Sequence, residues 1–189
     1  VKSFAQLPAD YQDFLRICME EKVDFVVVGG WAVAAHGYDR TTKDLDVFVR
    51  ADATNAPRVI RAVTRFGAPL HDLTVSDFAE VGVVFQIGAA LRIDVTTTIE
   101  GVSFDDAVAD PITVPLGDSA VRVIGLDALL RNKRAAGRLI DRNDVRVLER
   151  RAAFSPSKQT AKKAAKKAAT TTQKKTKKAA TKKSPAKKA

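Results

Sequence analysis

The chain reads as an α/β protein, and three features of its 189 residues say so. A β-rich apolar run, Phe25 to Val28, breaks at Gly29 and Gly30, continues as a helix-like segment from Trp31 to His36, and returns as a strand at Asp44 to Val49. A helical pattern over Asn55 to Phe66 then repeats apolar residues at Val59, Ile60, Val63 and Phe66, which completes a strand, helix, strand, helix rhythm. Further on, two pairs of short apolar runs each double back over a glycine-containing turn, the sequence form of a hairpin.

Before the first strand, Pro8 to Lys22 places Tyr11, Phe14, Leu15, Cys18 and Met19 at the spacing of an amphipathic helix, with Pro8 near its start. This helix is expected to pack on the back of the sheet, with Cys18 a core residue rather than a reactive thiol. Val81 to Ile87 and Leu91 to Thr97 form the first hairpin, turning at Gly88, Ala89 and Ala90. In its second strand Arg92, Asp94 and Thr96 share one face and Leu91, Ile93 and Val95 the other. Val102 to Ala109 suits a short helix, and Pro111 to Pro115 with Ala120 to Ile124 a second hairpin over Leu116, Gly117 and Asp118. From Gly125 to Arg151 the apolar period is helical, with a break near Gly137 that separates two helices.

Chemistry concentrates around the first two strands. Glycines after a strand let a phosphate approach the backbone, and free amides at the following helix start favour negative charge. Asp44 and Asp46 lie two apart on a strand, so both side chains share a face while Leu45 and Val47 turn to the core. Two hard oxygen ligands beside a phosphate cradle describe a magnesium site completed by water and phosphate oxygens. Between cradle and carboxylates, Arg40 suits either a bidentate phosphate contact or a surface pair with Asp39 or Asp10. Thr42 suits a phosphate hydrogen bond or a turn cap equally. His36 is expected to order the glycine turn through a backbone hydrogen bond, Lys43 to be solvated or salt-bridged, and His71 to have no ligand role. Asp94, the only acid of its run, would by spacing alone be a solvent-facing carboxylate.

The pair Gly29-Gly30, thirteen intervening residues and Asp44-Leu45-Asp46-Val47 resemble the signature of the DNA polymerase β-like nucleotidyltransferase superfamily. The string from Gly29 to Asp46 is similar to its small bacterial branch, which includes abortive-infection and toxin-antitoxin nucleotidyltransferases. The resemblance implies a minimal nucleotidyltransferase fold, with a mixed central sheet flanked by helices and a C-terminal helical pair. It also calls for a third carboxylate on a later strand between apolar residues, which Asp94 supplies. Two Mg²⁺ or Mn²⁺ ions, about 3.5 to 4 Å apart, would be held by Asp44, Asp46 and Asp94, with a nucleoside triphosphate such as ATP as substrate. Gly29, Gly30, Arg40 and Thr42 would serve the nucleotide. The segment Leu129 to Asp144 resembles the C-terminal motif of that branch, so Lys133 would contact the triphosphate while Arg138, Asp141 and Asp144 shape or brace the site; ordinary helix pairing of Arg138 with Asp141 is the plain alternative. The implied reaction moves a nucleoside monophosphate to a hydroxyl of an RNA, protein or small-molecule acceptor and releases pyrophosphate. For a toxin, the implied partner is an antitoxin protein.

Composition divides the chain in two, a nucleotidyltransferase domain over 1–154 and a Lys/Ala-rich tail over 155–189. The net charge of +10 misleads, because residues 155–189 hold 13 Lys and no acid. Removing those 13 from the 32 basic residues leaves 19 against 22 acids, a body of about −3. The tail carries no apolar side chain larger than alanine and is expected to be disordered when free. Its Lys-Lys doublets and Ser-Pro pairs resemble histone H1-type tails, which suit sequence-independent binding of RNA or DNA phosphates, or simple solubilisation. A catalytically inactive nucleotidyltransferase-fold protein that binds nucleic acid through this tail is the rival reading. One cysteine excludes an internal disulfide, and no apolar run reaches the roughly 18 residues a membrane span needs. The expectation is a soluble cytoplasmic enzyme, associated with the nucleoid or RNA if the tail binds there.

Overall fold

A computed structural model describes residues 4–88 and 91–154. The elements run α1 (Ala9–Glu20), β1 (Phe25–Val27), α2 (Gly29–Ala35), β2 (Asp44–Val49), α3 (Ala56–Arg65), α4 (Val75–Ala79), β3 (Val84–Ile87), β4 (Arg92–Thr96), α5 (Phe104–Val108), β5 (Ile112–Leu116), β6 (Ser119–Val123), α6 (Leu126–Ala136) and α7 (Leu139–Phe154). They fall into two units divided after Leu148. The first unit holds every strand and the helices α1 to α6, together with the start of α7. Of the second unit the structure describes residues 149–154, the closing turns of α7. The Lys/Ala tail and the turn residues Ala89 and Ala90 lie outside the described residues.

The six strands form one mixed sheet in the order β3-β4-β2-β1-β6-β5. Parallel pairs join β2 to β4 and β1 to β6, while β1–β2 and both hairpins are antiparallel. Strand β1 is buried throughout, while β2 and β4 alternate at their starts, with Leu45, Val47, Ile93 and Val95 all but sealed from solvent and the charged residues between them partly exposed. Pro115 sits on the edge strand β5, where its missing N–H breaks no central ladder. This is the mixed α/β architecture that the sequence predicts.

Helix α1 buries Tyr11, Phe14, Leu15 and Cys18. Phe14 meets Phe66 at the end of α3 edge to face, with ring centroids 5.2 Å apart. Burial pushes the Cys18 thiol well above its usual range, as a packed core residue requires. Gly137 closes α6 in the left-handed conformation, at φ 65°, and so separates the C-terminal helices where the sequence breaks. Helix α4 goes beyond the sequence reading, which assigns no element to Val75–Ala79. Thr74 and Asp77 close a capping box around its start, and Phe78 anchors it in the core. No described helix is long and apolar enough to cross a membrane.

Candidate active site

Register builds the site. Val27 of β1 lies opposite Val47 of β2, so the chain leaves β1 beside the start of β2, and the Val28 N–H donates to the Asp46 carbonyl at 3.0 Å. The parallel pairing of β2 with β4 sets Asp46 directly opposite Asp94 and Asp44 opposite Arg92. Because side chains alternate along a strand, all four stand on one face. They line a cleft of about 480 Å³, together with Gly29, Gly30, Arg40, Thr42, Lys133 and Arg138. The candidate residues drawn from the first two strands, from β4 and from the C-terminal helices thus converge; Asp141 sits just behind, as a fully buried partner of Lys133.

The two glycines serve close packing. Gly29 has φ +62°, and a Cβ there would lie 1.8 Å from Asp46 Oδ2. A Cβ at Gly30 would lie 2.4 Å from Thr42 Oγ1. The Gly30 amide faces the Asp46 carboxylate and acts to lower its pKa. Thr42 leans on Gly30, with its hydroxyl 3.4 Å from the Asp44 carbonyl. Gly29→Ala combines a left-handed backbone with a direct clash and should lose about 2 kcal/mol or more in urea unfolding. Gly67→Ala, also at positive φ but facing open space, should lose only about 1 kcal/mol.

The carboxylates are charged against their surroundings. Burial first, and then the charge of Asp94, pushes the Asp46 carboxyl up to about 6, with Lys133 opposing. Asp94 is raised too, by burial and by Asp44, with Arg92 opposing. The Arg92 Nη2 donates to Asp44 Oδ2 at 2.9 Å. Its Nε lies 3.0 Å from Asp94 Oδ1. That N–H is not aimed at the oxygen, and both atoms are buried without a hydrogen bond.

The cationic wall is held from behind. Lys133 Nζ donates to Asp141 Oδ1 at 2.8 Å and lies 3.5 Å from Asp144 Oδ2. Arg40 reaches across 104 residues to grip Asp144 with a two-pronged contact, Nε to Oδ1 at 2.9 Å and Nη2 to Oδ2 at 3.0 Å. Neither Asp10 nor Asp39 supplies that fork. Arg138 donates to Asp141 at 2.6 Å, the i,i+3 pairing open to it in the sequence, yet the shared carboxylate is fully buried. Three cations thus face two carboxylates. His36 orders a different place from the one anticipated: its Nε2 bonds the Ile124 carbonyl at 2.8 Å, tying α2 to the end of β6, and burial lowers its pKa. Tyr11 donates its hydroxyl to the Lys43 carbonyl, fixing the approach to β2. Arg92 and Glu100, which also lines the cleft, had no assigned role in the sequence. For Arg92 the available signal was its place two residues before Asp94 on the same face.

A divalent ion would find a partial donor set. Among the described residues no three His, Cys, Asp or Glu side chains already enclose one point. A magnesium-type ion needs only one or two carboxylates when water and phosphate complete its shell. The opposed Asp46 and Asp94, both raised in pKa, and the unbonded Asp94 Oδ1 are what such an ion would relieve. The residues therefore fit it.

Comparison with known families returns one described as "Nucleotidyl transferase of unknown function (DUF2204)", matched over residues 8–183. The chain belongs to this family. Membership gives the reaction class, nucleotidyl transfer, and with it a nucleotide substrate. Among solved structures, the crystal structure of the lincosamide antibiotic adenylyltransferase LnuA with lincomycin bound matches at 16% identity and a TM-score of 0.49, covering 74% of this chain and 94% of that one. No curated protein matches.

Proposed function

We propose that this family member transfers a nucleoside monophosphate from a nucleoside triphosphate to a hydroxyl acceptor, with a divalent cation held by Asp44, Asp46 and Asp94. The observation that carries the reading is Asp46 set opposite Asp94 across two parallel strands, with Asp44 on the same face and a basic wall beside them. A bound Mg²⁺ or Mn²⁺ would neutralise phosphate charge and acidify the acceptor hydroxyl. Asp94, with its raised pKa, is suited to orient that hydroxyl and take its proton. As the acceptor oxygen bonds the α-phosphorus, the bond to the β-phosphate breaks and pyrophosphate carries the charge away. Lys133 and Arg138 stand where they would offset that charge, because their two buried carboxylate partners leave the three-cation wall with a net positive balance. Arg40 would act through its grip on Asp144, holding the connector between α2 and β2 that bears Thr42 against the cleft. The separate domain boundary near residue 154 and a nucleic-acid role for the basic tail belong to this proposal as well, with RNA the acceptor class that such a tail would favour.

The test is incubation with each α-labelled nucleoside triphosphate, Mg²⁺ and total RNA, beside Asp44→Ala/Asp46→Ala. Label should move to RNA, to the protein or to an added small-molecule acceptor only with intact carboxylates. Transfer that survives the double substitution would sink this assignment of the site.

A further inference from the structure

We propose that Arg92 is a built-in counter-ion to the carboxylates of the cleft and that a divalent cation must displace it; this rests on the metal-dependent reading above. Two strands put it there. Position 92 lies two residues before Asp94 and directly opposite Asp44, so its guanidinium starts from one corner of a four-residue square whose other corners are acids. Three carboxylates on one sheet face repel one another, and like charges set opposite across strands are destabilising. A guanidinium is the one cationic side chain flat and wide enough to touch two of them together.

The contacts are those of a clamp that can open. Only one is a proper hydrogen bond, Nη2 to Asp44 Oδ2 at 2.9 Å. The second is a 3.0 Å approach to Asp94 Oδ1 with the N–H off line, leaving a buried donor and a buried acceptor unsatisfied. The side chains of Arg92 and Asp44 are each 39% exposed, so the guanidinium has an open path into the cleft it lines. Arg40 shows what a permanent pair looks like here, with two aligned bonds on a carboxylate that is 0% exposed. Arg92 is made differently. A cation entering between Asp44 and Asp94 removes the reason for its position and releases the guanidinium into the cleft it lines. Arg92 is thus a positioning residue that acts on ion entry through its hold on Asp44 and Asp94.

The experiment is titration of the full-length chain with Mn²⁺ alone, by calorimetry and by thermal shift, at pH 7.5, with the wild type, Arg92→Ala, Arg92→Lys and Asp44→Ala/Asp46→Ala. Removing the competitor should tighten Mn²⁺ binding roughly five- to tenfold in Arg92→Ala. The ion-free melting temperature should fall and the Mn²⁺-induced rise should grow. Arg92→Lys, charged but unable to span two carboxylates, should lie between. Should Arg92→Ala fail to fold, Arg92→Gln gives the same comparison with the shape kept. Equal or weaker Mn²⁺ binding without the guanidinium overturns the inference while leaving the metal site standing. If no variant binds Mn²⁺, or the double carboxylate variant binds as well as the wild type, the metal reading itself falls and takes this inference with it.

Discussion

Asp46→Asn should abolish transfer, by roughly a thousandfold or more, and at the same time make the ion-free protein more stable. The two effects share a cause. Burial and the facing Asp94 raise the Asp46 carboxyl from 3.8 to about 6, so the folded protein holds that proton more tightly than the unfolded chain does. Folding therefore takes up a proton between those values, and the associated stability, complete below 3.8, is lost as pH rises through about 6. At neutral pH an amide in its place removes the burial of a charge, and with it the repulsion from Asp94, together worth about 1 to 3 kcal/mol. Thermal melts of both proteins across pH 4 to 8 without metal check it: the gap should open as pH rises through roughly 6 and close below roughly 4. Activity and Mn²⁺ affinity of the wild type should rise over that same upper step, because the ionised carboxylate is the form that binds a cation. An Asp46→Asn protein no more stable than the wild type at pH 7.5 would mean that neither burial nor Asp94 strains the ionised Asp46.

The second large effect is on folding. Asp141→Ala strips Lys133, whose side chain is 3% exposed, of its 2.8 Å partner and leaves only Asp144 at 3.5 Å. A buried charge without its partner costs about 3 to 5 kcal/mol, a large fraction of the stability of a domain this size. Chemical unfolding should show that loss, and Lys133→Met added to Asp141→Ala should recover part of it, since the amine no longer needs a partner. Burial acts to raise the Asp141 pKa, but hydrogen bonds from Arg138 and Lys133 outweigh it and hold the carboxyl below its ordinary 3.8. Its contribution is therefore complete above that value and fades as pH falls beneath it, the reverse of Asp46. A double variant no better than Asp141→Ala would show that the loss lies in packing rather than in the stranded amine.

These two opposed carboxylates mark what was legible in the sequence and what was not. Asp44 and Asp46 share a face because strand period is a local property, and the order of residues states it without help. Local patterning likewise predicts the amphipathic α1, the α3 helix, both hairpins and the break at Gly137, since each depends on residues within a few positions of one another. The α4 helix was equally local. Its Thr74 to Asp77 capping signal lay in plain view inside a segment too short to show a helical period.

Partner choice over long distances belongs to the tertiary structure. Nothing between Arg40 and Asp144 announces that a guanidinium from the connector between α2 and β2 will fork onto a carboxylate of the last helix, so the pairing took the fold to decide. The same holds for His36, whose ring meets the Ile124 carbonyl 88 residues away. Asp94 became more than a lone strand acid through the register that sets it opposite Asp46, and Arg92 became a counter-ion through the same register, opposite Asp44. Sequence by itself determined which faces the charged side chains take, because that follows from backbone period. Which charges meet, and hence the pKa of each, was decided only when the parallel pairing of β2 with β4 and the docking of α6 and α7 brought distant residues within a few ångströms, where Coulomb energies in a partly buried cleft become large.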